Sequence, residues 1–297
     1  AQEKPEGAII ATPNHLHAPV AEICAAHGVH LLVEKPIADT LADAERISRA
    51  ATAAGVQVLV GHHRRYNPLI AETRTLIQEG AIGRLIGVSI LWTIHKPDDY
   101  FQVTWRTQRP NGGPALINLI HEIDTLRFLC GEITQVYAQS SSAIRGFAVE
   151  DSLAATLTFA NGALGTVLLS DTAAAPWSYE ATTGENPHYF RAPEDCYHFA
   201  GTAGALAFPS MALWRYTDPK HVGWQHPLAI SNVPVEAADP LVHQLEHFCR
   251  VIRGEEAPFV SATEGTRALA VILALLESAA TNQPVRLQET RRSAPLA

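Results

Sequence analysis

No apolar run in this chain reaches the ~18 residues that a membrane-crossing helix needs, and no charged-then-apolar leader precedes the first apolar stretch. Runs of lysine and arginine are missing as well. With 22 basic residues against 30 acidic ones the formal charge is −8, so neither nucleic acid nor an anionic membrane surface is an expected partner. Cys24, Cys130, Cys196 and Cys249 lie far apart and form no C-x-x-C, which argues against a zinc knuckle or a redox dithiol and for reduced thiols in a cytoplasm. Repeats and low-complexity tracts do not occur. What is present is a chain of 297 residues, 47% hydrophobic and 18% charged, long enough for two domains that each bury a core. A small polar ligand is the partner these properties leave open.

The first 60 residues alternate strand and helix. Residues 7–12, 29–34 and 56–60 read as buried strands, separated by helical spacing over 15–27, which Gly28 stops, and over 41–54, which Gly55 stops. That order predicts a parallel sheet. The chain enters its first strand within a few residues of Ala1, so earlier strands of the same sheet are expected ahead of it.

Two loops follow strand ends, where an open parallel sheet places its ligand crevice. One is Thr12-Pro13-Asn14-His15-Leu16-His17, whose backbone N–H groups suit a cofactor or substrate oxygen and whose histidines suit hydrogen bonding or proton transfer. The other is Glu34-Lys35-Pro36, which sets a lysine where desolvation draws its pKa toward neutrality and a proline fixes the turn. At Gly61-His62-His63-Arg64-Arg65-Tyr66-Asn67-Pro68 the pattern changes, and a domain boundary is expected there, dividing residues 1–62 from 63–297. The paired arginines suit a phosphate or carboxylate clamp.

Beyond the boundary the spacing predicts a helix over 68–79, a long strand over 83–95 and a helix over 115–129. On the last of these Asn118, His121 and Asp124 recur every three residues and share a face, so His121 is a candidate general acid/base oriented by Asn118 or Asp124. Strands at 136–142, 152–159 and 165–170, with Asn161-Gly162 as a hairpin turn, predict an antiparallel sheet. Residues 177–190 read as a loop over a substrate, 196–208 as strands, 240–253 and 263–281 as amphipathic helices, and 285–287 as a closing strand.

Taken together, Thr12-Pro13-x-x-x-His17, Glu34-Lys35-Pro36, Arg64-Arg65-Tyr66-Asn67-Pro68, Gly112-Gly113, His121-x-x-Asp124 and Val260-Ser261-x-x-Glu264-Gly265 resemble the glucose-fructose oxidoreductase / inositol dehydrogenase / MocA (Gfo/Idh/MocA) family over nearly the whole chain. The resemblance implies an α/β fold: a Rossmann-type parallel sheet, its N-terminal part missing here, followed by an α+β domain with a large, mostly antiparallel open sheet that makes a homodimer or homotetramer. It implies NAD or NADP as cofactor and hydride transfer to or from a secondary alcohol of a sugar, cyclitol or related polyol or sugar acid. Lys35 is then the catalytic lysine and His121 the proton-exchanging histidine, with Asn118 beside it. Thr12, Pro13, Asn14, His15, His17, Glu34, Pro36 and Arg64 border the cofactor.

Two departures accompany the resemblance. The glycine-rich G-x-G-x-x-G turn of such a domain does not occur, so about sixty residues are expected ahead of Ala1. Ile117 stands four residues before His121, where family members often place aspartate, with Asn118 one step later. An amide does not raise a histidine pKa as a carboxylate does. Tyr100, Trp105, Arg106, Tyr179, His188 and Tyr189 are candidates to stack on or hydrogen-bond a hydroxylated ring, and Arg106 suits a carboxylated one. Alternatives are an enzyme that recycles its NAD internally, separable by net NADH release, and a cofactor-sensing regulatory protein, which retention of Lys35 and His121 disfavours.

Overall fold

Leu31, Leu32 and Val33 are buried because β2 (His30–Val33) is the middle strand of a parallel sheet, between β1 (Gly7–Ile10) and β3 (Val58–Val60). A strand covered on both faces requires a continuous apolar run, which β2 and β3 both supply. The computed structural model describes residues 3–218 and 220–287. The helix expected over 15–27 begins as a 3-10 turn, Asn14–Leu16, and continues as α1 (His17–Ala26). α2 (Leu41–Ala54) opens with the Thr40 hydroxyl accepting the Asp43 N–H and stops at Gly55, whose φ of 68° is left-handed.

After α3 (Pro68–Gln78) the chain builds a second sheet from β4 (Leu85–Thr93), β5 (Ile133–Ser141), β6 (Ser152–Phe159), β7 (Leu164–Ser170), β8 (Tyr197–Gly201), β9 (Gly204–Phe208), β10 (Ala212–Tyr216), β11 (Leu228–Asn232) and β12 (Val285–Arg286). Its order is β11-β10-β9-β8-β4-β7-β6-β5-β12. Neighbours are antiparallel except β4 and β7, which run parallel and so modify the expected pattern at one pair. The reason is connectivity: between β4 and β7 the chain passes through α4 (Ile120–Cys130), and a crossover of that kind can return a strand in the same direction.

Two further expectations are corrected. The helix predicted from residue 115 opens as a π-helical turn, Ala115–Leu119, before α4. The predicted loop at 177–190 contains a short helix, α5 (Tyr179–Thr183), and Tyr179 is buried and stacked on Phe208, so that ring belongs to the core.

α6 (Pro240–Ile252) and α7 (Ala262–Thr281) complete the helices. α7 packs on β5 and α4 and also reaches α2 and β3. The Val60 N–H donates to Val260 O at 2.8 Å, and a Cβ on Gly265 would stand 2.9 Å from Val60 Cγ2, a separation only glycine tolerates. Through α7, which also touches the π-helical turn before α4, these contacts bring the carboxyl end of β3 toward the start of α4. Among the described residues no helix is long and apolar enough to cross a membrane.

Candidate active site

Where β2 ends, a cis peptide bond joins Lys35 to Pro36 and the lysine leaves the sheet edge. Its Nζ donates to Ile117 O at 3.0 Å, in the π-helical turn before α4. A π turn interrupts the i→i−4 ladder and frees carbonyls for outside donors, so the turn forms the acceptor side of this contact. Burial lowers the Lys35 pKa; Glu34 opposes that shift and the Arg64 charge adds to it.

His121 lies in the first turn of α4, 7% exposed, with its Nδ1 buried and without a hydrogen-bond partner. Its ring meets those of His63 and His62 edge-on, at centroid distances of 5.3 and 6.2 Å. Burial lowers its pKa well below the ordinary histidine value, and Lys35, Arg64 and the two histidines add to the shift. These effects favour the neutral imidazole, whose lone pair is open to a proton although the ring is a weaker base than an exposed histidine. His63 Nε2 pairs with Glu185 Oε1 at 2.9 Å; burial would raise the pKa of Glu185, but His63, Tyr179 and Asn67 hold it down at about 2.

His62 is fully enclosed, and burial takes it down to about 4 despite Asp124 nearby. A histidine neutral in the fold but protonated when unfolded contributes stability in full above about pH 6.5, which is lost as pH falls toward 4. Between pH 7 and pH 5 this group should cost about 2 kcal/mol of unfolding free energy. His62→Asn should flatten that acid limb in denaturant titrations at the two pH values, and an unchanged pH dependence would remove His62 as its source.

The structure does not orient His121 through Asn118 or Asp124. Asn118 Oδ1 accepts from Lys96 Nζ at 2.7 Å, and Asp124 is held by Arg65 through Nε and Nη2 at 2.9 and 2.6 Å. Arg64 and Arg65, expected to clamp a ligand anion, clamp carboxylates of the protein itself. Arg64 donates to Glu122 at 2.5 Å and Glu180 at 2.8 Å, and Arg65 also reaches Glu264 at 3.0 Å. Acids brought in by distant segments consume the donors that the sequence left open.

At the first loop His17 is buried and bridges the two strand ends, with Nε2 2.8 Å from Thr12 O and Nδ1 3.0 Å from Pro36 O. In a neutral ring one nitrogen donates at a time. Thr12 Oγ1 and Asn14 Nδ2 are buried without partners, while Pro13 and His15 are exposed. Glu34 is packed against Gly61, where a Cβ would stand 3.1 Å from its carboxyl carbon.

Tyr100 and Arg106 come together beside Lys96: the Arg106 guanidinium lies 4.1 Å from the Tyr100 ring centre and 5.9 Å from that of Trp105. His188 is not drawn in; it is exposed, and its N–H binds Asn186. Its neighbour Tyr189 has a phenol within the field of Glu180 and Arg64. Lys96, His62 and His63 were not among the expected site residues. Lys96 had a visible signal, since His95-Lys96-Pro97 follows a strand just as Glu34-Lys35-Pro36 does.

Two family profiles match the chain, one described as the oxidoreductase family with the NAD-binding Rossmann fold over residues 1–62 and one as the GFO/IDH/MocA C-terminal domain over residues 70–207. The chain belongs to the Gfo/Idh/MocA oxidoreductase family. This Gfo/Idh/MocA chain is 29% identical to the 1,5-anhydro-D-fructose reductase of Ensifer adhaerens over 283 residues, covering 94% of itself and 79% of that protein. It is 32% identical to the levoglucosan dehydrogenase of Pseudarthrobacter phenanthrenivorans over 184 residues, 53% of this chain and 47% of that one. The WlbA dehydrogenase of Bordetella pertussis, solved with NADH and UDP-GlcNAcA, shares the fold at a TM-score of 0.75 and 24% identity, covering 97% of this chain and 80% of its own.

Proposed function

We propose that the protein is an NAD- or NADP-dependent dehydrogenase acting on a secondary alcohol of a sugar, cyclitol or related polyol or sugar acid. The observation that carries this reading is the pairing of Lys35, desolvated at a strand end and held on Ile117 O, with a neutral His121 whose Nδ1 has no protein partner. The reductase and dehydrogenase names of the two relatives support a hydroxylated substrate.

The unpartnered Thr12 Oγ1 and Asn14 Nδ2 fit the hydroxyl and carboxamide groups of a nicotinamide riboside, with Pro13, His15, His17, Glu34 and Pro36 bordering it. When bound, the dinucleotide supplies the carbon that takes or returns the hydride. Lys35 holds and polarises the substrate oxygen, and His121 accepts the hydroxyl proton as the carbinol C–H bond breaks. Arg64, held by Glu122 and Glu180, acts on Lys35 and His121 through its charge.

The test is absorbance at 340 nm with full-length protein, NAD or NADP, and a panel of sugars, cyclitols and sugar acids. Substrate-dependent reduced nicotinamide supports the reading, and cofactor binding without net reduction overturns it.

The proposal includes a division at about residue 62, a cytoplasmic location and assembly through the open sheet. The strand register puts Leu91, Leu164, Leu168, Trp214 and Ile230 on one face, and Leu164, Leu168 and Ile230 are 61%, 45% and 54% exposed. Such a face suits a homodimer or homotetramer. Leu168→Glu should reduce the mass seen by light scattering to that of the monomer; an unchanged assembly would place the interface elsewhere.

A further inference from the structure

Lys96 and Lys35 leave different sheets yet reach consecutive residues of one π-helical turn. Lys35 Nζ takes Ile117 O at 3.0 Å, and Lys96 Nζ takes Asn118 Oδ1 at 2.7 Å. An ammonium has three N–H donors, and each lysine has one such hydrogen bond among the described residues. The nearest acid to Lys96, Asp171 at 3.8 Å, already receives Arg145 Nε at 3.0 Å. Arg106 has no carboxylate within ion-pair distance among the described residues; one N–H goes to Tyr100 O at 2.8 Å. Lys96 Nζ and the Arg106 guanidinium both lie against the Tyr100 ring, 4.4 and 4.1 Å from its centre.

Three cations therefore face this side of the crevice with most of their donors unused; of the acids that act on them, Asp171 also binds Arg145, Glu180 is held by Arg64 and Trp92, and Glu34 lies beside Lys35 alone. A neutral polyol would leave that charge only partly compensated in a partly desolvated wall, whereas a carboxylate satisfies the open donors with charge-assisted hydrogen bonds. We propose that Lys96 and Arg106 form an anion subsite beside Lys35, so that the substrate is a polyhydroxylated carboxylate. This rests on the dehydrogenase reading for its chemistry: the carbinol C–H leaves as hydride to nicotinamide, the O–H proton passes to His121, a ketone forms, and the carboxylate is unchanged.

Calorimetric titration of the full-length protein bearing NADH tests the subsite without turnover. The probes are D-gluconate, D-glucuronate and D-galacturonate against D-glucose, D-galactose and myo-inositol. The carboxylates should bind at least ~10-fold more tightly than the neutral compounds. Lys96→Met and Arg106→Met should each reduce the acid-to-neutral affinity ratio by about tenfold, and Arg106→Lys should retain most of it. A structural role would weaken both ligand classes together and leave the ratio unchanged, which overturns the proposal, as does the absence of carboxylate binding. Carboxylate-selective binding without NADH production from any substrate would keep the subsite and remove the dehydrogenase. Production from neutral sugars without acid preference in binding would keep the dehydrogenase and remove the subsite.

Discussion

Lys35→Met is expected to lower kcat by about 10³-fold, some 4 kcal/mol of barrier, while the dissociation constant of the reduced cofactor changes less than about threefold. Methionine has nearly the length of lysine and fills the same space between Pro36 and the π-helical turn, but it has no ammonium to polarise a carbinol oxygen. Within the protein the substitution removes a single hydrogen bond, the one to Ile117 O. The fold should therefore be weakened only slightly, by about 1 kcal/mol. Stopped-flow single turnovers would assign the fall in rate to the hydride-transfer step, because substrate and cofactor would still bind. Turnover within tenfold of the wild type would remove Lys35 from the chemistry. His121→Asn alone would be a weaker test, since the charges around that ring would also rearrange.

The second large effect concerns stability. The Arg64 side chain is 3% exposed and its partner Glu122 is 0% exposed; Tyr197 also donates to that carboxylate, and Glu180 holds the other side of the guanidinium. Tyr179 stacks beneath, 3.8 Å from the guanidinium carbon. Burial pushes Glu122 up to about 7 even with Arg64 beside it. Arg64→Met should destabilise the fold by about 3–5 kcal/mol, because a buried carboxylate loses its counterion. Glu122→Gln combined with Arg64→Met should recover a large part of that loss, since the fully buried carboxylate is then neutral and only the partly exposed Glu180 is left without its counterion. Denaturant unfolding of the two single variants and the double would give the coupling directly. A loss below about 1 kcal/mol for Arg64→Met would mean that water reaches the site and the network is a surface one.

These two expectations differ in how far the sequence anticipates them. Lys35 stands out because a buried strand running into Glu34-Lys35-Pro36 is a local pattern, and the carboxyl edge of a parallel sheet gives such a lysine a crevice. The parallel and antiparallel sheets and the helix stops at Gly28 and Gly55 were legible for the same reason, since each depends on residues within about ten positions of one another, and the family was legible from the order of several such local motifs along the chain. The role of Arg64 was not legible. An arginine pair reads equally as a ligand clamp or as half of an internal network, and only the arrival of Glu122 and Glu180 decides between them.

The sequence by itself determined the order of the elements, the family and the two residues on which the proposed chemistry depends. Tertiary structure decided the partners. Lys35 meets a carbonyl 82 positions away and Arg65 a carboxylate 199 away, while Asn118 turns to Lys96 rather than to His121. Periodicity assigns a side chain to a face of its own helix or strand, but the donor or acceptor opposite that face belongs to another element. Buried polar groups take whichever partner chain packing brings within hydrogen-bond reach, and that is a property of the assembled fold.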